Sequence, residues 1–204
     1  MVLPFTRSRC LCCWGARRLE AAAAEVCRGV SFKLEEKTAH SSLARFREDT
    51  GVKYGLERAK RSLNVERFWE WAVVLVDTAI TSGRRYREVT AKCSQQFQVG
   101  VADVDISRDS CISVDDCSWV FTYAHRKWHT MLANEKAPIE GIGHPEKVGL
   151  LLEYEAQILS LVDVSWVAVV HTLQIDFQDP VVPAFPLCDR ELLTHSGLEV
   201  PKDL

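Results

Sequence analysis

From Trp71 onward, hydrophobic and polar residues alternate in short runs separated by turn-forming residues. Trp71-Ala-Val-Val-Leu-Val76 is rich in strand formers. Thr81-Ser82-Gly83 follows as a turn signal. Between Tyr86 and Ala91 the period is two, with Arg87, Val89 and Ala91 on one face and Tyr86, Glu88 and Thr90 on the other. The same reading predicts strands at 96–102, 118–123, 147–155, 156–162, 166–173 and 181–185. Many short strands at near-regular spacing, with no long helical segments between them, predict an all-β antiparallel sandwich or barrel and exclude a parallel α/β sheet. Residues 33–63 are mixed and polar. Leu56, Ala59 and Leu63 fall at helical spacing there, which predicts a short helix or an irregular wrap.

Composition supports a globular body and sets the N-terminus apart. The chain has 204 residues, 47% hydrophobic and 26% charged. A unit of that size buries roughly 70% of its unfolded surface, enough to fold without disulfides or metals. Four of the eight cysteines lie in the first 27 residues, and the rest are scattered. Neither group has the paired spacing of a zinc site, so free thiols are expected. No stretch approaches 18 apolar residues, so no membrane-spanning helix is expected.

Residues 1–31 carry five arginines against two glutamates, a net +3, which leaves −6 on the remainder of a chain whose total is −3. This arginine- and alanine-rich, acid-poor segment has the pattern of a mitochondrial transit peptide with helical potential. A disordered tail without an address, leaving the protein in cytosol or nucleus, is the alternative. The folded domain is expected from 32 to 204. Its acidic body argues against non-specific nucleic-acid binding.

Five segments in order resemble a known family. Ser82-Gly-Arg-Arg-Tyr-Arg-Glu-Val89 resembles the opening strand motif of SPRY (B30.2-like) domains, usually Tyr-Trp-Glu-Val. Val99-Gly-Val-Ala102 resembles the next strand and Asp116-Cys-Ser-Trp119 the Ser-Trp element. Val148-Gly-Leu-Leu-Leu-Glu-Tyr-Glu155, followed by Leu159-Ser-Leu161, resembles the family's Val-Gly-Val-x-Leu-Asp-Tyr hairpin. Pro180-Val-Val-Pro-Ala-Phe185 resembles the closing strand. The matches span 71–185. The resemblance implies a bent, concanavalin-like jelly-roll sandwich that binds proteins through loops at one end, acting alone or as an adaptor. Arg87 stands where the family usually has Trp, on the face that should be core. Either an acid must pair with it or that end of the strand must be open to water. The hairpin turn Glu155-Ala-Gln157 lacks a glycine, and Glu153 replaces the usual Asp.

No motif for catalysis, cofactor or metal binding survives inspection. Asp103, Asp105, Ser107 and Asp109 start like a calcium loop, but Arg108 and Val114 occupy the positions that need glycine and glutamate. His125 and His129 lack the glutamate of a metalloprotease helix. Glu153 and Glu155 on one strand face read as solvated. The expected function is therefore non-enzymatic recognition of a protein or peptide. The expected surface comprises the 103–116 loop, with Asp103, Asp105, Asp115 and Asp116 favouring a basic partner, and the 125–128 segment, with His125, Arg126 and Trp128. Trp128 reads equally as an interface anchor or as core. Two alternatives are a small-molecule binder or enzyme with a pocket gathering His125, His129 and Glu153, and a structural subunit of an assembly. Fusing residues 1–31 to a fluorescent reporter should give a mitochondrial pattern; a diffuse cytosolic signal contradicts the targeting expectation.

Overall fold

The computed structural model describes residues 31–56, 64–91, 93–109, 111–112, 116–132, 135–144, 146–176 and 178–204. The expected targeting segment, apart from Ser31, lies outside them, as do Ala59, Leu63 and Asp115. Thirteen strands form: β1 (Leu43–Phe46), β2 (Gly51–Tyr54), β3 (Val73–Leu75), β4 (Arg84–Thr90), β5 (Gln96–Asp103), β6 (Ser118–Ala124), β7 (Lys127–Leu132), β8 (Glu135–Ile139), β9 (Lys147–Glu153), β10 (Ile158–Asp163), β11 (Ala168–Gln174), β12 (Val181–Pro186) and β13 (Glu191–Leu198). They make a seven-stranded sheet, β1-β2-β13-β4-β9-β10-β11, and a six-stranded sheet, β3-β12-β5-β6-β7-β8. Every pairing is antiparallel. No helix occurs among the described residues.

The two sheets stack because each strand offers one apolar face. Val89 of the larger sheet and Phe185 of the smaller border the same small void, and His171 of β11 meets the edge of the Phe121 ring on β6. Leu150, Leu152, Leu159 and Leu161 fill the interior from β9 and β10. Phe97, Tyr123 and Trp128 close one end of it, with ring centroids 5.2–5.6 Å apart. Such pairs add about 0.5–1.5 kcal/mol each beyond their burial. The outer face of the larger sheet carries a second small cluster, Tyr86, Leu151 and Val162, covered by Leu198, Val200 and Leu204. The chain's last residues are therefore part of the fold. Gly149 is glycine because a Cβ there would lie 2.7 Å from the Tyr86 hydroxyl.

All eight predicted strands are present, with shifted ends. The expectation of a helix or wrap in 33–63 is corrected: residues 43–54 form the β1–β2 hairpin, extending the larger sheet through β13. Leu56 points into solvent rather than into a helix contact. Short strands broken by charges gave no period-two signal. The hairpin's bend is made by Arg47, Glu48 and Asp49, all at positive φ, with Arg45 ion-paired to Glu36 and Asp49.

Arg87 does face the interior, at 4% exposure, and no acid pairs with it. Its two terminal nitrogens are buried without hydrogen-bond partners among the described residues, and its guanidinium lies 4.6 Å from the centre of the Phe32 ring. Phe32 is held there by its N–H donating to the Ser196 hydroxyl at 2.8 Å. The cation–π contact offsets only about 0.5–2 kcal/mol of the desolvation. Burial pushes the Arg87 pKa down to about 9. Because the unfolded chain holds this proton more tightly than the folded one, the penalty is complete below that pKa and fades as pH rises through it. Arg87→Met should therefore stabilise the protein by about 1–4 kcal/mol at neutral pH in chemical denaturation. The gain should shrink above pH 9, and a loss of stability at neutral pH contradicts this reading.

Candidate functional site

The register of β5 and β6 sets the geometry of the candidate site. Gln96 opposes Ala124 at one end and Ala102 opposes Ser118 at the other. These ends are six residues apart, about 20 Å at roughly 3.3 Å per residue. Asp103, Asp105 and Asp116 sit at the second end, whereas His125 and Arg126 form the β6–β7 turn at the first. The structure does not bring the described aspartates of the first loop to the turn of the second. Asp103, Asp105 and Asp116 belong to one end of the sandwich and His125 and Arg126 to the other.

At the acidic end, Asp103 is half-buried, with one carboxylate oxygen lacking a partner among the described residues. Burial raises its pKa, with Asp179 and then Asp105 adding repulsion, while a side-chain hydrogen bond from Cys117 opposes them. Asp105 and Asp116 are exposed. Trp128, weighed as an anchor, is a core residue at 2% exposure. Its indole N–H donates to the Gly143 carbonyl at 3.0 Å, so it offers a partner no surface. Alternation places it there: Trp128 opposes Tyr123, whose side chain also points inward. His129 opposes Thr122 on the opposite face, and burial lowers its pKa, with Lys136 and His125 adding to the effect. Glu153 pairs with Arg84 at 2.7 Å, and the Glu155 carboxylate accepts the Gly83 N–H at 2.8 and 3.0 Å. The pocket gathering His125, His129 and Glu153 does not form, and the described residues contain no cluster of metal ligands.

The first end carries what the sequence reading missed. A cavity of about 130 Å³ opens on the outer face of the six-stranded sheet. Gln98 and Thr122, directly opposed in the register, share that face because their neighbours Val99 and Phe121 point into the core. The walls come from elsewhere: Trp71 before β3, Pro186 of β12, Cys188 after it, and Cys111 and Ile112 from the 103–116 segment. That loop takes part through its apolar residues rather than its aspartates. Trp71 is 45% exposed at the rim. The Thr122 hydroxyl is buried without a partner among the described residues. Burial raises the Cys188 thiol pKa, helped by Asp189, so it is a poor nucleophile at neutral pH.

A wider, open cleft of about 360 Å³ adjoins, lined by Gln95, Gln96, His125, Arg126 and Asp189, with Gln96 common to both. Asp189 already accepts the backbone N–H groups of Gln95 and Gln96 at 2.9–3.1 Å. His125 and Arg126 have φ of 52° and 63°, the pair of left-handed residues that a two-residue hairpin turn requires. Asn-Gly is the usual choice. A bulky side chain in this region costs about 1–2 kcal/mol, and such strain recurs at functional sites. Of the sequence-predicted residues, His125 and Arg126 belong to this end and Asp103, Asp105 and Asp116 do not; Asp115 lies outside the described residues. Trp71, Gln98 and Thr122 could have been found only by knowing the cross-strand register.

Two stacked antiparallel sheets joined by loops and turns define a β-sandwich, not a barrel. Comparison with known proteins gives the family. The chain is 76% identical to SPRY domain-containing protein 4 of Homo sapiens and 70% identical to that of Mus musculus, over the full length of all three. It is 27% identical to the human probable E3 ubiquitin-protein ligase MID2, over 83% of this chain and 23% of that one. Among solved structures, the TRIM65 PSpry domain matches 97% of the chain with a TM-score of 0.74 at 17% identity. A stonustoxin structure matches 81% of this chain and 28% of its own with a TM-score of 0.73 at 22% identity. No protein-family model matches the chain. The chain belongs to the SPRY domain family, a family of protein-interaction modules.

Replacing the turn by the residues its geometry favours, His125→Asn with Arg126→Gly, should raise stability by about 1 kcal/mol or more in thermal or chemical denaturation. Unchanged or lowered stability contradicts the assignment of strain to this turn.

Proposed function

We propose that the protein is a non-enzymatic adaptor that grips a segment of a partner protein at the Gln96 end of its six-stranded sheet. The observation that carries this reading is the adjacency of the cavity and the open cleft, which have Gln96 in common. The pair offers one anchoring hole and a longer, partly charged trough beside it. Half-exposed Trp71 stands at the rim, the residue type that supplies the largest share of interface energy. Arg126 adds a cation in the trough, since the Asp189 carboxylate is engaged by backbone amides. Five segments distant in sequence build the cavity, so it is held by the sandwich itself and needs little ordering on binding. Family membership supports the interaction role. The same module occurs within much longer relatives, as the coverage of MID2 illustrates.

We place this adaptor in the mitochondrial matrix, on the basic, acid-poor composition of residues 1–31. The acidic Asp103 end lies about 20 Å away along the strands and is a separate surface in this reading.

The test is quantitative affinity capture of partners from mitochondria with the wild-type chain and two variants. Trp71→Ala combined with Arg126→Glu should reduce recovery of specific partners about tenfold or more, whereas Asp105→Lys combined with Asp116→Lys should leave it within about twofold. The reverse pattern overturns the placement of the site.

A further inference from the structure

Resting on that placement, we propose that the enclosed cavity is a receptor for a carboxamide-tipped side chain, asparagine or glutamine, of the partner segment. Four observations converge. None of the described residues lining the cavity is charged, so neither a carboxylate nor an ammonium would find a counter-charge once desolvated. The floor holds the Thr122 hydroxyl, buried and without a protein partner among the described residues. A hydroxyl both donates and accepts, and so does a carboxamide. Gln96 and Gln98 bring two further carboxamides to the same wall, able to pair reciprocally with a third. Apart from the thiols of Cys111 and Cys188, the remaining wall, with Trp71, Ile112 and Pro186, is apolar and suits the flat faces and short stem of such a group.

Size agrees with chemistry. The cavity of about 130 Å³ has room for a group at least the size of acetamide. An aliphatic side chain of that size would fit but would leave the Thr122 hydroxyl without a partner, which a buried polar group does not tolerate cheaply. A purely apolar occupant is therefore disfavoured by the floor, and a charged one by the walls.

The experiment is a titration of the isotope-labelled full chain with propionamide, propionate and propylammonium, read by nuclear magnetic resonance at the Trp71 indole N–H and the Gln96 and Gln98 side-chain amides. Propionamide should give saturable shifts confined to these groups and should bind about tenfold more tightly than either charged probe. Thr122→Val, nearly isosteric, should weaken propionamide about fivefold to tenfold, the weight of one hydrogen bond. Gln98→Met, on the half-exposed wall, checks the result without touching the buried floor. Equal binding of propionate or propylammonium overturns the proposal. So does an unchanged affinity in both variants, or no saturable shift at all. If propionamide behaves as expected but partner capture ignores Trp71, the carboxamide receptor stands and the broader recognition reading falls. If capture depends on Trp71 while propionamide fails, the site stands and its specificity for carboxamides falls.

Discussion

The pairing of β5 with β6 is the constraint on which both the core and the site depend. Because side chains alternate across a strand, a shift of one residue would exchange their two faces. In the observed register Phe97, Val99 and Val101 oppose Tyr123, Phe121 and Trp119 in the interior. The same register turns Gln98 and Thr122 outward, side by side, onto the floor of the cavity. Gly100 helps fix it. A Cβ at that position would fall 2.1 Å from the Trp119 carbonyl oxygen, so only glycine lets the two strands approach as they do. Packing free energy and the proposed recognition surface thus come from a single alignment of two strands.

Around that alignment the protein tolerates several local penalties. An unpaired guanidinium lies between the sheets beneath Phe32. His125 and Arg126 hold left-handed backbone at the mouth of the cleft, and a threonine hydroxyl is buried at the bottom of the uncharged cavity. The last two sit at the same end of the molecule. Arg87 lies apart from them, within the core, and its family counterpart is an apolar aromatic; it is a weakness of the fold rather than part of the site. Left-handed backbone also occurs at Arg47, Glu48, Asp49, Gln157, Val167 and Arg190, so strain alone does not single out this end; its coincidence there with a cavity and a hydroxyl unpartnered among the described residues is what supports the proposed site.

Period-two alternation sufficed to read the fold class, eight strands and the inward face of β4, including the awkward position of Arg87. The other five strands were silent for physical reasons. β1 and β2 have four residues each, with charges in both. β8, Glu-Lys-Ala-Pro-Ile, reads as a turn. β7 and β13 mix polar and apolar residues because each has one face turned away from the main core. For the proposed site, the sequence pointed to the 103–116 and 125–128 segments, and the structure puts other residues of the first beside the cavity. Aspartates in the 103–116 segment attracted notice by their charge, while Cys111 and Ile112 of the same segment are what reach the cavity. Long-range register, which decides that His125 and Asp103 lie at opposite ends, is not written in any local pattern.

The central claim is that partners are gripped at the Gln96 end of the six-stranded sheet. Site-specific photo-crosslinking tests it most directly, with a photoreactive residue placed singly at position 71, at position 126, or at position 105 of the acidic end, followed by identification of the covalent adducts in mitochondria. Positions 71 and 126 should capture the same partner polypeptide, and position 105 should capture it weakly or not at all. Strong capture from position 105 with none from 71 and 126 would contradict the account.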